Sequence, residues 1–195
     1  MIKIITGDII ESEKLDAKKK NSLFSELKSL SDQSASTYDF FIRGDSFQIL
    51  SKGNALQETL ILQALIHYKL NIKARISIGV GEADYLKEKL SDSDGEAFRL
   101  SGRGLDKLKE DDKLFGVFTY DASLDSEWSI YCDMLDYFFR KQTRNQSEAI
   151  YWLLNDLNQT EIALQIGKSQ SSVNARIKTT GWDIIKRINE RFATL

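Results

Sequence analysis

The chain has no proline, one cysteine and one histidine among its 195 residues, and each shortage removes a class of chemistry. Cys132 alone cannot close an internal disulfide, and one thiol with one imidazole, His67, cannot assemble a Cys/His zinc centre. Both read as core or surface residues. Catalysis by a Ser/His/Asp or Cys/His set would need His67 as its base, yet it stands mid-helix in ALIHYKL with no nucleophile signature beside it. Without proline there is no Pro-rich linker to mark a domain boundary. The longest purely apolar runs are a few residues, too short to cross a bilayer. The opening MIKIITGDII lacks a basic start, a long apolar stretch and a cleavage site. The expectation is a cytoplasmic chain with no membrane partner. A composition of 42% hydrophobic and 29% charged residues suits a soluble globular protein of one domain or two small ones.

Charge divides the chain unevenly. Residues 1 to 139 hold 18 Lys/Arg against 24 Asp/Glu, net −6, whereas residues 140 to 195 hold 9 against 5, net +4. Two parts with different partners follow from this asymmetry. The boundary is expected on a connecting helix, DSEWSIYCDMLDYFFRKQTR (125–144), where Trp128, Tyr131, Met134, Leu135 and Phe138 recur at helical spacing. This gives a unit over 1–124, a connecting helix over 125–144 and a helical unit over 145–195.

In the first unit, IKIIT (2–6) reads as a buried strand ending at Gly7-Asp8, and SEKLDAKKKNSLFSELKSL as a helix with Leu23, Phe24, Leu27 and Leu30 on one face. YDFFI and SFQIL form a hairpin around Arg43-Gly44-Asp45. NALQETLILQALIHYKL (54–70) is a helix capped by Asn54, and KARISIGV (73–80) alternates like a strand. The order β-α-β-β-α-β is the ferredoxin-like arrangement of an α+β fold. Its third strand lies beside the first and antiparallel to it, which makes neighbours of Asp8 and Asp45. Gly-Asp suits a turn for backbone reasons alone, but two adjacent carboxylates repel unless a cation intervenes. Mg²⁺ takes one or two protein carboxylates and completes its shell with water and phosphate oxygens.

The second unit carries the most specific stretch, NQTEIALQIGKSQSSVNARIKTTGW (158–182). Asn158 and Glu161 have capping-box spacing, Ala163 is small where two helices cross, and Gly167 supplies a left-handed turn. Ser169 caps a second helix that turns Val173 and Ile177 inward and Gln170, Ser171, Asn174, Arg176 and Lys178 outward. This is helix-turn-helix spacing, similar to that of phage repressors and sigma-factor-like regulators. The local positive charge favours DNA as a partner. SEAIYWLLNDL (147–157) supplies a supporting helix and GWDIIKRINERF (181–192) a final amphipathic one.

TGDII, RGDSFQIL, ARISIGVGE and DGEAFRLSGRGLDKL resemble segments of the nucleotide cyclase and GGDEF superfamily. Over nearly its full length the chain is similar to the SatD-like family, which joins such a domain to a C-terminal helix-turn-helix. The resemblance implies a palm-like (cyclase-like) N-terminal domain with Asp8, Asp45 and the Ile9 carbonyl as ligands of Mg²⁺ or Mn²⁺. It also implies a nucleotide held by Arg43, Gly44, Arg99 and Arg103, with Arg99 and Arg103 the candidates for stabilising phosphate in catalysis. Arg99 stands where the superfamily has Asn, Arg43 replaces the second glycine of GGDEF, Ser46 its Glu, and Phe41 a base-reading Lys. The expected function is a homodimeric DNA-binding regulator with a nucleotide and Mg²⁺ as its signal, Ser169, Gln170, Ser171, Asn174, Arg176 and Lys178 forming the DNA surface. An active cyclase or nucleotidyltransferase and a degenerate dimerisation scaffold are the alternatives.

Overall fold

The computed structural model describes residues 1–40 and 45–195. Among these the chain is a mixed α and β protein with a five-stranded sheet and eight α-helices. In chain order these are β1 (Ile2–Ile9), α1 (Ala17–Gln33), β2 (Thr37–Phe40), β3 (Ser46–Ser51), α2 (Ala55–Leu70), β4 (Ala74–Gly81), α3 (Glu96–Glu110), β5 (Phe115–Phe118), α4 (Ala122–Lys141), α5 (Arg144–Leu154), α6 (Gln159–Gln165), α7 (Gln170–Lys178) and α8 (Trp182–Phe192).

The strands lie in the order β2-β3-β1-β4-β5. β1 is antiparallel to both β3 and β4, so the third strand does sit beside the first as the element order requires. β5 is an addition that the sequence reading omits: its four residues, FGVF, are too few to show a period, and they pair parallel to β4 after the α3 crossover. β1 also runs past Gly7-Asp8 to Ile9, placing Asp8 inside the strand.

Strand alternation divides β1 between two cores. Ile5 and Ile9 join Phe47, Ile49, Ile76 and Ile78 under α1 and α2, while Ile4 packs with Ala97 and Phe98 of α3 on the opposite face. Thr6 follows Ile4 onto that face, where its hydroxyl lies 2.9 Å from that of Ser101. Asp8, two residues on, points the same way. Gly79, paired with Ile4, lets α3 close on the sheet: a Cβ there would overlap the Ala97 carbonyl and come within 2.5 Å of the Ser101 amide nitrogen. On α1, Leu23 and Leu27 are buried as the spacing predicts, but Phe24 is exposed because the helix touches its neighbours along a narrower stripe.

The helix expected to connect two parts belongs to the core. Trp128, Cys132, Leu135 and Phe139 of α4 are buried in one continuous cluster with the sheet and with Ile150, Ile185, Ile188 and Phe192 of α5 and α8. Burial pushes the Cys132 thiol up to about 12, so it remains a neutral packing group. Polar contacts fix α5 and α8 to α2. Arg144 donates to the Tyr68 and Lys69 carbonyls at the α2 C-terminus, Gln57 Nε2 to the Leu154 carbonyl at 2.8 Å, and Asn54 Nδ2 to Asn189 Oδ1 at 3.1 Å. His67 Nδ1 lies 2.8 Å from Ser147 Oγ, which itself donates to Gln142 Oε1.

Two outcomes follow from this packing. Gly79→Ala should lower stability by about 2 kcal/mol or more, because backbone rather than a flexible side chain obstructs the new methyl; urea unfolding measures it, and a shift within error would contradict the close approach. Burial, reinforced by Lys73 and Arg144, pushes the His67 imidazole down from 6.5 to about 4. The unfolded chain therefore takes the proton first, so this contribution to stability is complete above pH 6.5 and is lost as pH falls toward 4. The chain's only imidazole gives an unambiguous NMR titration, expected near 4; a midpoint near 6.5 would contradict the buried bond to Ser147.

Candidate functional site

Two places collect the residues singled out in the sequence. The first is the end of β1. Asp8 pairs with Ser46 across β3, so Asp45 is one residue from the position directly opposite Asp8. The Ile9 amide donates to the Asp45 carbonyl at 2.7 Å, locking the end of β1 to the start of β3. Asp8, Ile9 and Asp45 are thus brought together. Arg43, Gly44 and Phe41 lie outside the described residues.

The surroundings of these aspartates are mixed in charge. Asp8 is largely buried, with its side chain 17% exposed, and its Oδ2 sits 3.1 Å from Lys109 Nζ on the last turn of α3. Its Oδ1 is buried with no hydrogen-bond partner among the described residues. Asp45 Oδ2 accepts from Ser12 Oγ at 3.2 Å, Ser12 lying on the short turn that follows β1. Arg75 stands directly across β4 from Asp8; its Nη2 is 3.5 Å from Asp112 Oδ1, and its Nε is buried and unpartnered.

Arg99 and Arg103 do not join this group. Arg99 Nη1 donates to Asp84 Oδ2 at 3.0 Å and Asp94 Oδ1 at 3.1 Å, closing the loop between β4 and α3. It stands about 15 Å before Lys109 along the helix axis at 1.5 Å per residue. Arg103 is exposed, with its Nε bonded to the Arg99 carbonyl at 3.4 Å. Within one chain it is Lys109, not Arg99 or Arg103, whose side chain reaches Asp8. Sequence spacing could not indicate this, because Lys109 meets Asp8 only through the angle at which α3 crosses β1.

Among the described residues no three His, Cys, Asp or Glu side chains converge as a metal-ligand cluster. Two carboxylates and a backbone carbonyl are nevertheless what a hydrated Mg²⁺ takes from protein when phosphate supplies other oxygens. The buried, unpartnered Oδ1 of Asp8 fits that use, since an orphaned carboxylate oxygen costs free energy until a cation or donor satisfies it. Asp8, Asp45 and the Ile9 carbonyl would hold the ion.

The second place is the turn between α6 and α7. Asn158 Oδ1 accepts from the Thr160 and Glu161 amides, and Glu161 Oε2 accepts from the Asn158 amide at 2.7 Å, completing the capping box. Gly167 has φ +62°, and Ser169 Oγ accepts from the Ser172 amide at 3.2 Å to start α7. Ile162, Ala163, Val173 and Ile177 bury together with Ala149 of α5. The Lys168 amide donates to the Ala163 carbonyl, and its side chain stays in solvent.

On α7, Gln170, Ser171, Asn174 and Lys178 are exposed together, with Ser169 at the helix start and its hydroxyl 2.9 Å from that of Ser171. Arg176 differs from expectation. Its side chain is 15% exposed, and Nη1 lies 2.8 Å from Glu148 Oε2 on α5. An arginine so engaged is a strut between helices, not a free phosphate contact.

No protein-family model matches the chain, and no curated protein matches it.

Arg176→Ala should loosen α7 against α5, leaving Glu148 half-buried without its partner at a cost of about 1 kcal/mol. Hydrogen exchange of the Val173 and Ile177 amides would speed up. Unchanged exchange together with a smaller salt slope in DNA titrations would return Arg176 to the phosphate-contacting set.

Proposed function

We propose that the chain is a DNA-binding transcriptional regulator of the SatD-like kind, in which a cyclase-like domain binds a nucleotide with Mg²⁺ as the signal. On this reading the β2-β3-β1-β4 sheet with α1 and α2 is a ferredoxin-like domain, and α5 to α7 are a helix-turn-helix unit whose recognition helix is α7. The observation that carries the reading is the two-sided character of α7. Val173 and Ile177 are buried against α5 and α6, while Gln170, Ser171, Asn174 and Lys178 form an uncovered polar row beginning at the helix N-terminus.

A recognition helix presents its first residues to base edges in the major groove. Gln170 suits bidentate bonding to adenine N6 and N7, and Ser171 and Asn174 add further polar contacts. Lys178 and Lys168 meet phosphate, consistent with the net +4 of residues 140 to 195. Pairing of two chains about a two-fold axis would present two such helices to half-sites one helical turn apart.

A ligand at Asp8 and Asp45 acts on DNA binding only if it has different affinities for two arrangements of the α7 surface. The shared core between sheet and C-terminal helices supports such coupling, since α5 cannot move without disturbing α2.

A salt-dependent titration on a selected operator and a scrambled duplex tests the proposal. Gln170→Ala should reduce the preference for operator by about 1 to 3 kcal/mol. Lys178→Ala should weaken binding to both duplexes and lower the salt slope by about one. Binding to neither duplex at low salt, with and without nucleotide, would defeat it.

A further inference from the structure

The contact between Lys109 and Asp8 bears on how the site at the end of β1 is loaded. Lys109 Nζ is 3.1 Å from Asp8 Oδ2, its only charged partner among the described residues, and its side chain is 45% exposed on the last turn of α3. Among the described residues no other hydrogen bond or ion pair restrains it. Arg75, opposite Asp8 on β4, brings a second positive charge to the same end of the sheet. Asp8 is therefore paired with Lys109 before any ligand enters, while Arg75 is paired with Asp112 and Asp45 accepts from Ser12.

We propose that Lys109 is a built-in counter-ion that holds Asp8 against free divalent metal and transfers to phosphate when the metal arrives as its polyphosphate complex. The inference rests on the reading of Asp8, Ile9 and Asp45 as metal ligands. A divalent ion bound to the Asp8 carboxylate would stand within a few ångströms of the Lys109 ammonium on Oδ2. The two cations repel at that distance, so binding favours the departure of Lys109. Free metal adds two positive charges beside Lys109 and leaves it with no acceptor. A metal–triphosphate complex brings its own negative charge and gives the displaced ammonium a phosphate oxygen. Lys109 can make this exchange without backbone movement, because its four-carbon stem is flexible and its head already reaches solvent. Asp8 Oδ1, which has no hydrogen-bond partner among the described residues, is the oxygen left to the ion.

The test compares free Mn²⁺ with Mn²⁺-tripolyphosphate in the full-length chain, following bound Mn²⁺ by electron paramagnetic resonance. Wild type should bind the complex in preference to the free ion. Lys109→Met, which keeps the aliphatic stem, should tighten free Mn²⁺ and weaken Mn²⁺-tripolyphosphate by about fivefold each, the scale of one partly exposed ion pair. Lys109→Gln should shift both in the same two directions, guarding against an effect of the thioether, and far-UV circular dichroism checks the fold of each variant. Asp8→Asn sets the background. Equal affinities in wild type and both variants, or a shift of free and complexed metal in one direction, overturn the counter-ion and leave the metal ligands standing. No Mn²⁺ bound above the Asp8→Asn background in any variant, with or without tripolyphosphate, overturns the metal reading and the counter-ion with it.

Discussion

Burial of α2 on most of its circumference is the constraint from which the rest of this architecture follows. Its apolar residues leave little face for solvent: Leu56, Leu60, Leu62, Ala64, Leu65 and Ile66 are at most 2% exposed, and Ile61 is partly buried. A helix that is apolar all round must be covered all round. The sheet covers one side, and α5 and α8 return to cover the other. Each large aliphatic side chain so buried contributes about 1.5–3 kcal/mol, which makes the C-terminal helices part of what keeps α2 dry. Its polar residues are placed to suit: His67 meets Ser147, Gln63 Oε1 accepts from the Ala74 amide, and Gln57 reaches the α5 carboxyl end.

The two candidate sites thus belong to one packed body and lie at its margins. Asp8 sits near the end of β1 beneath the last turn of α3, on the sheet face away from α2, with Asp45 beside it just before β3. The α7 row projects from a small satellite cluster built on Ala149 of α5. A change at the aspartates would reach α7 through α3, the sheet, α2 and α5 in turn. Two of those contacts are close. Gly79 has no room for a methyl against α3, and α5 is bonded to the α2 C-terminus through Arg144. The satellite cluster is tied to α5 by the Arg176 to Glu148 pair, by the bond from Gln146 to Thr179 and by a handful of apolar residues.

Much of this was legible in the sequence because it rests on local chemistry. Asn54, Asn158, Glu161, Gly167 and Ser169 announce helix ends through their own side chains or backbone freedom, and each does so in the structure. The strand order that seats Asp8 beside Asp45 follows from element order and strand direction. What escaped depends on distant partners. β5 is too short to show a period. The Lys109 contact needs the crossing angle of α3 over β1, and the engagement of Arg176 needs Glu148 on another helix. The capacity of α4 to act as core was visible in its spacing, but its partners Phe115 and Phe192 flank it on both sides in sequence, and nothing local connects them.

The claim on which most depends is that the sheet and the C-terminal helices share one core through α2. Native-state hydrogen exchange across a urea series tests it directly. The amides of Ile150 in α5 and Ile185 in α8 should exchange through the same global opening as those of Ile5 and Ile78 in the sheet, with equal free energies and equal urea dependence. Opening of Ile150 and Ile185 together at a clearly lower free energy, with a smaller urea dependence, would mean that the helices form a separate unit and would contradict the account.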